Sequence, residues 1–212
     1  VDGRVIVGFV GFGEAGSTLG GGLAASGVER IVAFDIAAGD PRLGPVIRER
    51  AQRTGTTLLD SPAALAASAD VIFSTVTSSS ALDAAAAIAP SLEPRHLYAD
   101  LNSVSPALKQ EIGRVVGGTT ARFVEVAVMA PVLPYGHRVP MLLGGPSAPL
   151  FAERMTPFGM RCEVVEGNIG TAAAVKMCRS IVVKGLEALI CECVLGASRY
   201  DASAYVFASL NE

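Results

Sequence analysis

The sequence predicts an α/β fold, a doubly wound parallel sheet followed by the start of an all-helical second domain. Short apolar runs alternate with helical patterns and turn residues, as parallel strands alternate with crossover helices. The first run, Val5-Ile6-Val7-Gly8-Phe9-Val10, is continuous, as a strand buried on both faces requires. From Gly170 a proline-free, nearly all-apolar helical pattern continues to Ala197, enough for about eight turns. The predicted division is therefore 1–167 for the sheet domain and 168–212 for a long helix and the beginning of a helical domain.

The first strand opens onto Gly11-Phe12-Gly13-Glu14-Ala15-Gly16, and a helical pattern with Leu19 and Leu23 on one side follows at once. In a strand–turn–helix the three glycines have separable roles. Gly11 permits the tight turn, Gly13 lets a pyrophosphate approach bare backbone, and Gly16 lets helix and strand pack closely. The ligand's charge then meets the free N–H groups and positive end of the helix. Asp35 ends the next apolar run, Ile31-Val32-Ala33-Phe34, about 20 residues on, where a ribose hydroxyl needs an acceptor. This is the pattern of a dinucleotide site, with Gly11, Phe12, Gly13, Glu14, Ala15, Gly16 and Asp35 as cofactor-binding residues. Gly20-Gly21-Gly22 lies inside the helix, where each glycine costs about 1 kcal/mol against alanine. Either that helix packs unusually close to its neighbours, or drift in composition put them there.

A loop rich in glycine and proline precedes a charged helix over about Val46–Thr54 and a short strand near Thr57–Leu59. Ser61-Pro62 reads as an N-cap and first helical position for an alanine-rich helix to Ala69. Asp70–Val76 is another buried strand, opening onto Thr77-Ser78-Ser79-Ser80 at the start of the next helix. His96–Leu101 is a further strand and ends at Asn102-Ser103-Val104-Ser105-Pro106, where Ser105 and Pro106 start a helix to about Val116. Strands over Phe123–Val128, Val139–Leu143 and Arg161–Val165 follow, with a mostly helical stretch from Pro149 to Phe158. Ligands of such sheets bind beyond the carboxyl ends of the strands. Val76, Thr77 and Asn102 are on that rim and join the cofactor-binding set.

In the long helix Lys176, Ser180, Lys184 and Glu187 form one polar stripe, with Arg179 adjacent. A rod so apolar on its other faces is expected to be buried between protein layers, and the stripe to face either solvent or a cleft. A last helix begins near Asp201.

Composition narrows the function. Half of the 212 residues are hydrophobic and 17% are charged, so a sizeable core is available. A net charge of −3 offers no basic stripe for nucleic acid. No apolar run reaches the roughly 18–20 residues of a membrane span, and nothing resembles a signal peptide. The four cysteines form no disulfide framework, which fits a reducing cytoplasm. Cys191 and Cys193 point to different faces of a helix, and the two histidines are too few for a His-based site, so no metal is expected.

With these motifs placed, the chain resembles the β-hydroxyacid dehydrogenase family, which includes 3-hydroxyisobutyrate and 6-phosphogluconate dehydrogenases. Gly11–Leu19 is similar to its nucleotide signature, and Asp100-Leu101-Asn102-Ser103-Val104-Ser105-Pro106 to its Asp-x-Ser-Thr-x-x-Pro segment. Lys176 falls where the family's catalytic lysine stands. The resemblance implies a Rossmann-type domain, a helical second domain of which only the beginning is here, a homodimer, and hydride exchange with Lys176 as general acid–base. Two departures stand out. The family's substrate-binding Ser-Gly-Gly falls at Met129-Ala130-Pro131, and its asparagine after the lysine falls at Ser180, beside Arg179. Asn102, Ser103, Met129, Ala130, Arg179 and Ser180 are the implied substrate-binding residues, and Arg179 would suit an anionic substrate. These features match an uncharacterised, 6-phosphogluconate dehydrogenase-like branch. Asp35 favours NAD as cofactor, although Arg42 and Arg48 leave NADP open. An imine reductase on the same fold and a non-catalytic nucleotide-binding module are the alternatives.

Overall fold

The structure, a computed structural model, describes residues 5–211. Its strands are β1 (Ile6–Val10), β2 (Arg30–Phe34), β3 (Thr57–Leu58), β4 (Val71–Ser74), β5 (Leu97–Asp100), β6 (Arg122–Val128), β7 (Pro140–Gly144) and β8 (Arg161–Val164). They form a single sheet in the order β3-β2-β1-β4-β5-β6-β7-β8. Winding reverses between β1, which pairs with β2 on one side, and β4, its neighbour on the other. Strands β1 to β6 are parallel, as the apolar runs predicted. β7 is antiparallel to β6, and β8 follows β7, so the sheet is mixed rather than wholly parallel. The reason is local. Between β6 and β7 the chain has only α6 (Val132–Tyr135) and one turn of 3₁₀ helix. A parallel crossover needs a longer connection, usually a full helix.

Both faces are covered. α1 (Glu14–Ala25), α2 (Gly44–Thr54) and α7 (Ala148–Met155) contribute Leu19, Leu23, Ile47, Ala51 and Phe151 to one core, which takes Phe9, Ala33, Phe73 and Ala99 from the strands. α3 (Pro62–Ser68), α4 (Ala81–Ile88) and α5 (Pro106–Gly117) contribute Leu65, Ala85, Ile88, Ile112 and Val116 to the other, with Val32, Ile72 and Tyr98 between. Alternate residues of one strand thus enter opposite cores, which is why the strands read as continuous apolar runs. Ser61 and Ser105 act as the N-caps expected of them, accepting from the N–H groups of Ala64 and Leu108 at 3.1 and 3.2 Å.

Close packing accounts for the glycines of α1. A Cβ on Gly22 would stand 2.2 Å from His137 Nδ1. His137 is buried there, its Nε2 2.9 Å from Ser26 Oγ at the end of the same helix. Gly20 meets Phe12 and Ile31, and Gly21 meets Thr54.

The chain divides into two compact units, Val1–Ala174 and Val175–Glu212. α8 (Thr171–Arg199) begins in the first. There the buried Glu125 of β6 accepts from the N–H groups of Gly170 and Ala173, both at 2.6 Å, so a carboxylate holds the positive end of the helix. The second unit consists of the rest of α8 and α9 (Ser203–Ser209). Within the single chain the apolar side chains of this helix, expected to be buried between protein layers, are exposed: Ile181 is 72% and Leu195 71% accessible. The 7 residues of α9 are too few to cover a helix of 29. No helix of the described residues is long and apolar enough to cross a membrane.

Two buried histidines couple the fold to pH. His96 Nδ1 accepts from the Glu93 N–H at 2.7 Å, and Nε2 donates to Ala66 O at 2.9 Å, which defines a neutral ring between β5 and α3. Burial lowers the pKa of both His96 and His137, and Arg138 depresses His137 further. In the unfolded chain both titrate near pH 6.5, so the unfolded state takes up protons first. The stability contribution is complete above that value and is lost as pH falls from there through the lower folded pKa values. Urea midpoints should therefore drop between about pH 7.5 and about pH 5.5, and His96→Asn with His137→Asn should remove much of that slope. A slope unchanged in the double variant would assign the effect to other groups.

Candidate functional site

A cleft of about 670 Å³ opens at the carboxyl ends of β1, β2 and β4, where winding reverses. Gly11, Gly13, Glu14 and Ala15 come from the glycine turn and the start of α1; Phe34, Asp35, Ile36 and Ala37 come from the end of β2. Thr75, Val76 and Thr77 follow β4, and Pro62, Ser80, Asp83, Ala84 and Ala87 complete the wall. Its ionisable lining is wholly acidic, with Glu14, Asp35 and Asp83 and no lysine or arginine. Arg48 instead donates to the Ala38 carbonyl at 2.7 Å.

The turn, which continues β1, is held from the ends of its two neighbours, β2 and β4. The Gly11 N–H donates to Phe34 O at 2.8 Å, and the Thr75 hydroxyl donates to Gly11 O at 2.7 Å. Asp35 accepts from the Phe12 N–H at 2.7 Å and, through its other oxygen, from the Ala37 N–H at 2.9 Å. Asp35 therefore braces the turn, and each oxygen keeps a further lone pair for a ligand hydroxyl. Gly11 has φ +85°, and a Cβ there would lie 2.7 Å from Thr75 O; one on Gly16 would lie 2.7 Å from Gly11 O and Thr75 Oγ1. Gly13 differs. Nothing lies within 4 Å of its Cβ direction, and no side chain caps the first turn of α1. That open space beside uncapped N–H groups fits a dinucleotide's pyrophosphate.

Of the cofactor residues expected from sequence, the cleft gathers Gly11, Gly13, Glu14, Ala15, Asp35, Val76 and Thr77. Phe12 turns its ring into the core against Phe9, leaving its N–H for the turn, and Gly16 is buried in the first turn of α1. Asn102 is buried just past β5, where its amide donates to Ser74 Oγ at 2.9 Å and to Asp100 Oδ1. Ser103 beside it is exposed. Met129 and Ala130 are half-buried after β6; the Met129 N–H donates to Pro140 O at 2.9 Å. Lys176, Arg179 and Ser180 belong to the second unit, on one side of α8, with Lys176 and Ser180 half-buried and Arg179 exposed.

Two buried charges lie outside that sequence reading. Lys109 of α5 donates through Nζ to Asp100 O at 2.6 Å, Asp100 Oδ2 at 2.7 Å and Val126 O at 3.3 Å. Burial pulls its ammonium below the usual lysine range, while Asp100 and Glu125 pull it back up. Three acceptors surround Nζ, one for each N–H bond of an ammonium. Glu125 is the second. The signal for Lys109 was its place on the apolar stripe of α5, three and seven positions before Ile112 and Val116. For Glu125 it was a lone acid inside Phe123-Val124-Glu125-Val126-Ala127-Val128.

Comparison with known proteins agrees with this geometry. Residues 6–133 match the model for the NAD binding domain of 6-phosphogluconate dehydrogenase. A conserved hypothetical protein from Sinorhizobium meliloti is 37% identical, with a TM-score of 0.85 over 98% of this chain and 69% of that one. A conserved protein of unknown function, described as structurally similar to 3-hydroxyacid dehydrogenases, is 32% identical, with a TM-score of 0.82 over 97% and 75%. The 3-hydroxyisobutyrate dehydrogenase of Mycobacterium tuberculosis, solved with L-serine, shares the fold at 19% identity, TM-score 0.80, over 95% and 67%. The domain implies a nicotinamide cofactor. The resemblance read from the glycine turn and the Asp100–Pro106 segment holds, and the chain belongs to the family of the NAD-binding domain of 6-phosphogluconate dehydrogenase.

Proposed function

We propose that the protein is an NAD-dependent oxidoreductase acting on a small anionic hydroxy acid or its carbonyl counterpart. The observation that carries the reading is the open space at Gly13, above a turn whose other two glycines the fold itself requires. Gly11, Gly13, Glu14 and Ala15 would hold the pyrophosphate, Asp35 the adenosine ribose, and Val76, Thr77 and Asn102 the nicotinamide side. When bound, the nicotinamide supplies the hydride acceptor or donor. Lys176 takes the hydroxyl proton as the carbonyl forms, or returns one in the reverse direction. Arg179 and Ser180 are the proposed substrate contacts of the long helix, Arg179 for an anionic group, and Ser103, Met129 and Ala130 those of the sheet domain. Met129 and Ala130 stand where the family usually has a serine and a glycine, so its usual substrates do not carry over. The exposed apolar side chains of residues 175–210 support a homodimer, in which a second copy covers them.

The glycine turn separates binding from folding. Gly13→Ala should fold as the parent does and bind NAD at least about tenfold more weakly. Gly16→Ala should instead lose about 1–3 kcal/mol of stability, because its Cβ meets two oxygens. Calorimetric titration beside thermal denaturation reads both, and full NAD affinity in Gly13→Ala would sink the pyrophosphate assignment.

NAD should bind more tightly than NADP by at least about tenfold, since a 2′-phosphate would meet Asp35 in a cleft whose ionisable lining is wholly acidic. Equal affinity at one ionic strength would reverse this preference.

Lys176→Ala should keep NAD affinity and lose about 10²–10⁴-fold in turnover on a panel of hydroxy and keto acids. Lys176→Arg keeps the charge but holds its proton at every accessible pH, so it should be nearly as inactive. An active arginine variant would make Lys176 an electrostatic anchor only.

A further inference from the structure

A hydrogen-bond acceptor without a donor is buried at the carboxyl end of β5. Both N–H bonds of the Asn102 amide are engaged, by Ser74 Oγ and by Asp100 Oδ1. A carboxylate only accepts, so Asp100 dictates which way the amide faces. That turns Asn102 Oδ1 the other way, where it is buried and has no hydrogen-bond partner. An unsatisfied buried carbonyl is costly, and a folded core retains few of them. Asp100 is itself held by Lys109, at both its main-chain oxygen and Oδ2. The third Lys109 donor goes to Val126 O, so this ammonium has no capacity left for a ligand. Lys109 therefore acts on whatever binds here only through Asp100 and Asn102.

Strand order indicates which part of a ligand arrives. With its adenosine ribose at Asp35 after β2 and its pyrophosphate on the turn after β1, a dinucleotide continues toward β4 and β5. Ser74 ends β4 and is tied directly to Asn102. We propose that Lys109 is a positioning residue, fixing Asp100 and through it the Asn102 amide so that Oδ1 accepts one N–H or O–H donor from the nicotinamide-riboside half of the cofactor. The proposal rests on the dinucleotide reading of the cleft and adds to it a selective contribution from a residue that never touches the ligand.

The test compares two probes. NAD carries the nicotinamide-riboside half; ADP lacks it but retains the adenosine and both phosphates. Lys109→Met should weaken NAD by about tenfold or more and leave ADP within about twofold. Asn102→Leu, which keeps the Lys109–Asp100 pair, should show the same selective loss and decides the matter if Lys109→Met does not fold. A merely structural lysine predicts equal losses for both probes, or none, and either result overturns the proposal. So does normal NAD affinity in Asn102→Leu, which would show that the cofactor makes no use of Oδ1. ADP-ribose, which has the distal ribose but no base, distinguishes the two donors: a loss shared with NAD assigns a ribose hydroxyl, and a loss confined to NAD assigns the carboxamide. Wild-type protein that binds neither NAD nor ADP would sink the cleft assignment together with this one. Wild-type NAD binding with unselective variants sinks this one alone.

Discussion

The structure depends on the clamp around the Gly11 peptide. Its N–H is taken by Phe34 at the end of β2, and its carbonyl by the Thr75 hydroxyl just past β4. Asp35 adds a third bond, to the next N–H. Three strand ends thus converge on one turn, and the position of α1 follows from it. The bonds that hold the turn all come from the protein itself, and such preorganisation reduces the ordering cost that binding would otherwise carry. The same clamp sets the steric demands on Gly11 and Gly16, because a Thr75 oxygen occupies the space that either Cβ would enter.

Farther along the sheet a second polar layer links the site to the long helix. Asp100, Lys109 and Glu125 are all buried, on β5, α5 and β6. Lys109 sits between the two acids; it is hydrogen-bonded to Asp100 and is attracted by Glu125 at longer range. Glu125 in turn holds the first turn of α8. Removing one member of such a buried set leaves a charge without compensation, which typically costs about 3–5 kcal/mol. The layer is therefore expensive to alter piecemeal, and it ties the end of β5 and the middle of β6 to the point where α8 starts.

Much of this was legible in the sequence. Continuous apolar runs marked strands buried on both faces, and Ser61-Pro62 and Ser105-Pro106 marked helix starts that the caps confirm. The glycine turn and Asp35 located the cleft. The reversal at β7 was not legible, because an apolar run carries no strand direction; only the short connection at 129–139 did. The surface that would cover α8 was not legible for a different reason. An all-apolar helix states that a partner surface is needed, not that the same chain supplies it. Lys109 and Glu125 passed as ordinary charges because their partners, Asp100 and Gly170, come from other elements.

The three glycines of the turn carry different information, although a motif counts them equally. Gly11 and Gly16 are required by contacts within the protein, so a chain that had lost its ligand would still need both in order to fold. Gly13 meets no such contact. A side chain there would cost the fold little and would fill the space beside the uncapped N–H groups of α1. Asp35 is ambiguous in the same way, since bracing the turn would preserve it without any ribose. The part of this site that folding alone does not explain is an absence, the missing Cβ at Gly13. It is there that the case for a bound dinucleotide is strongest.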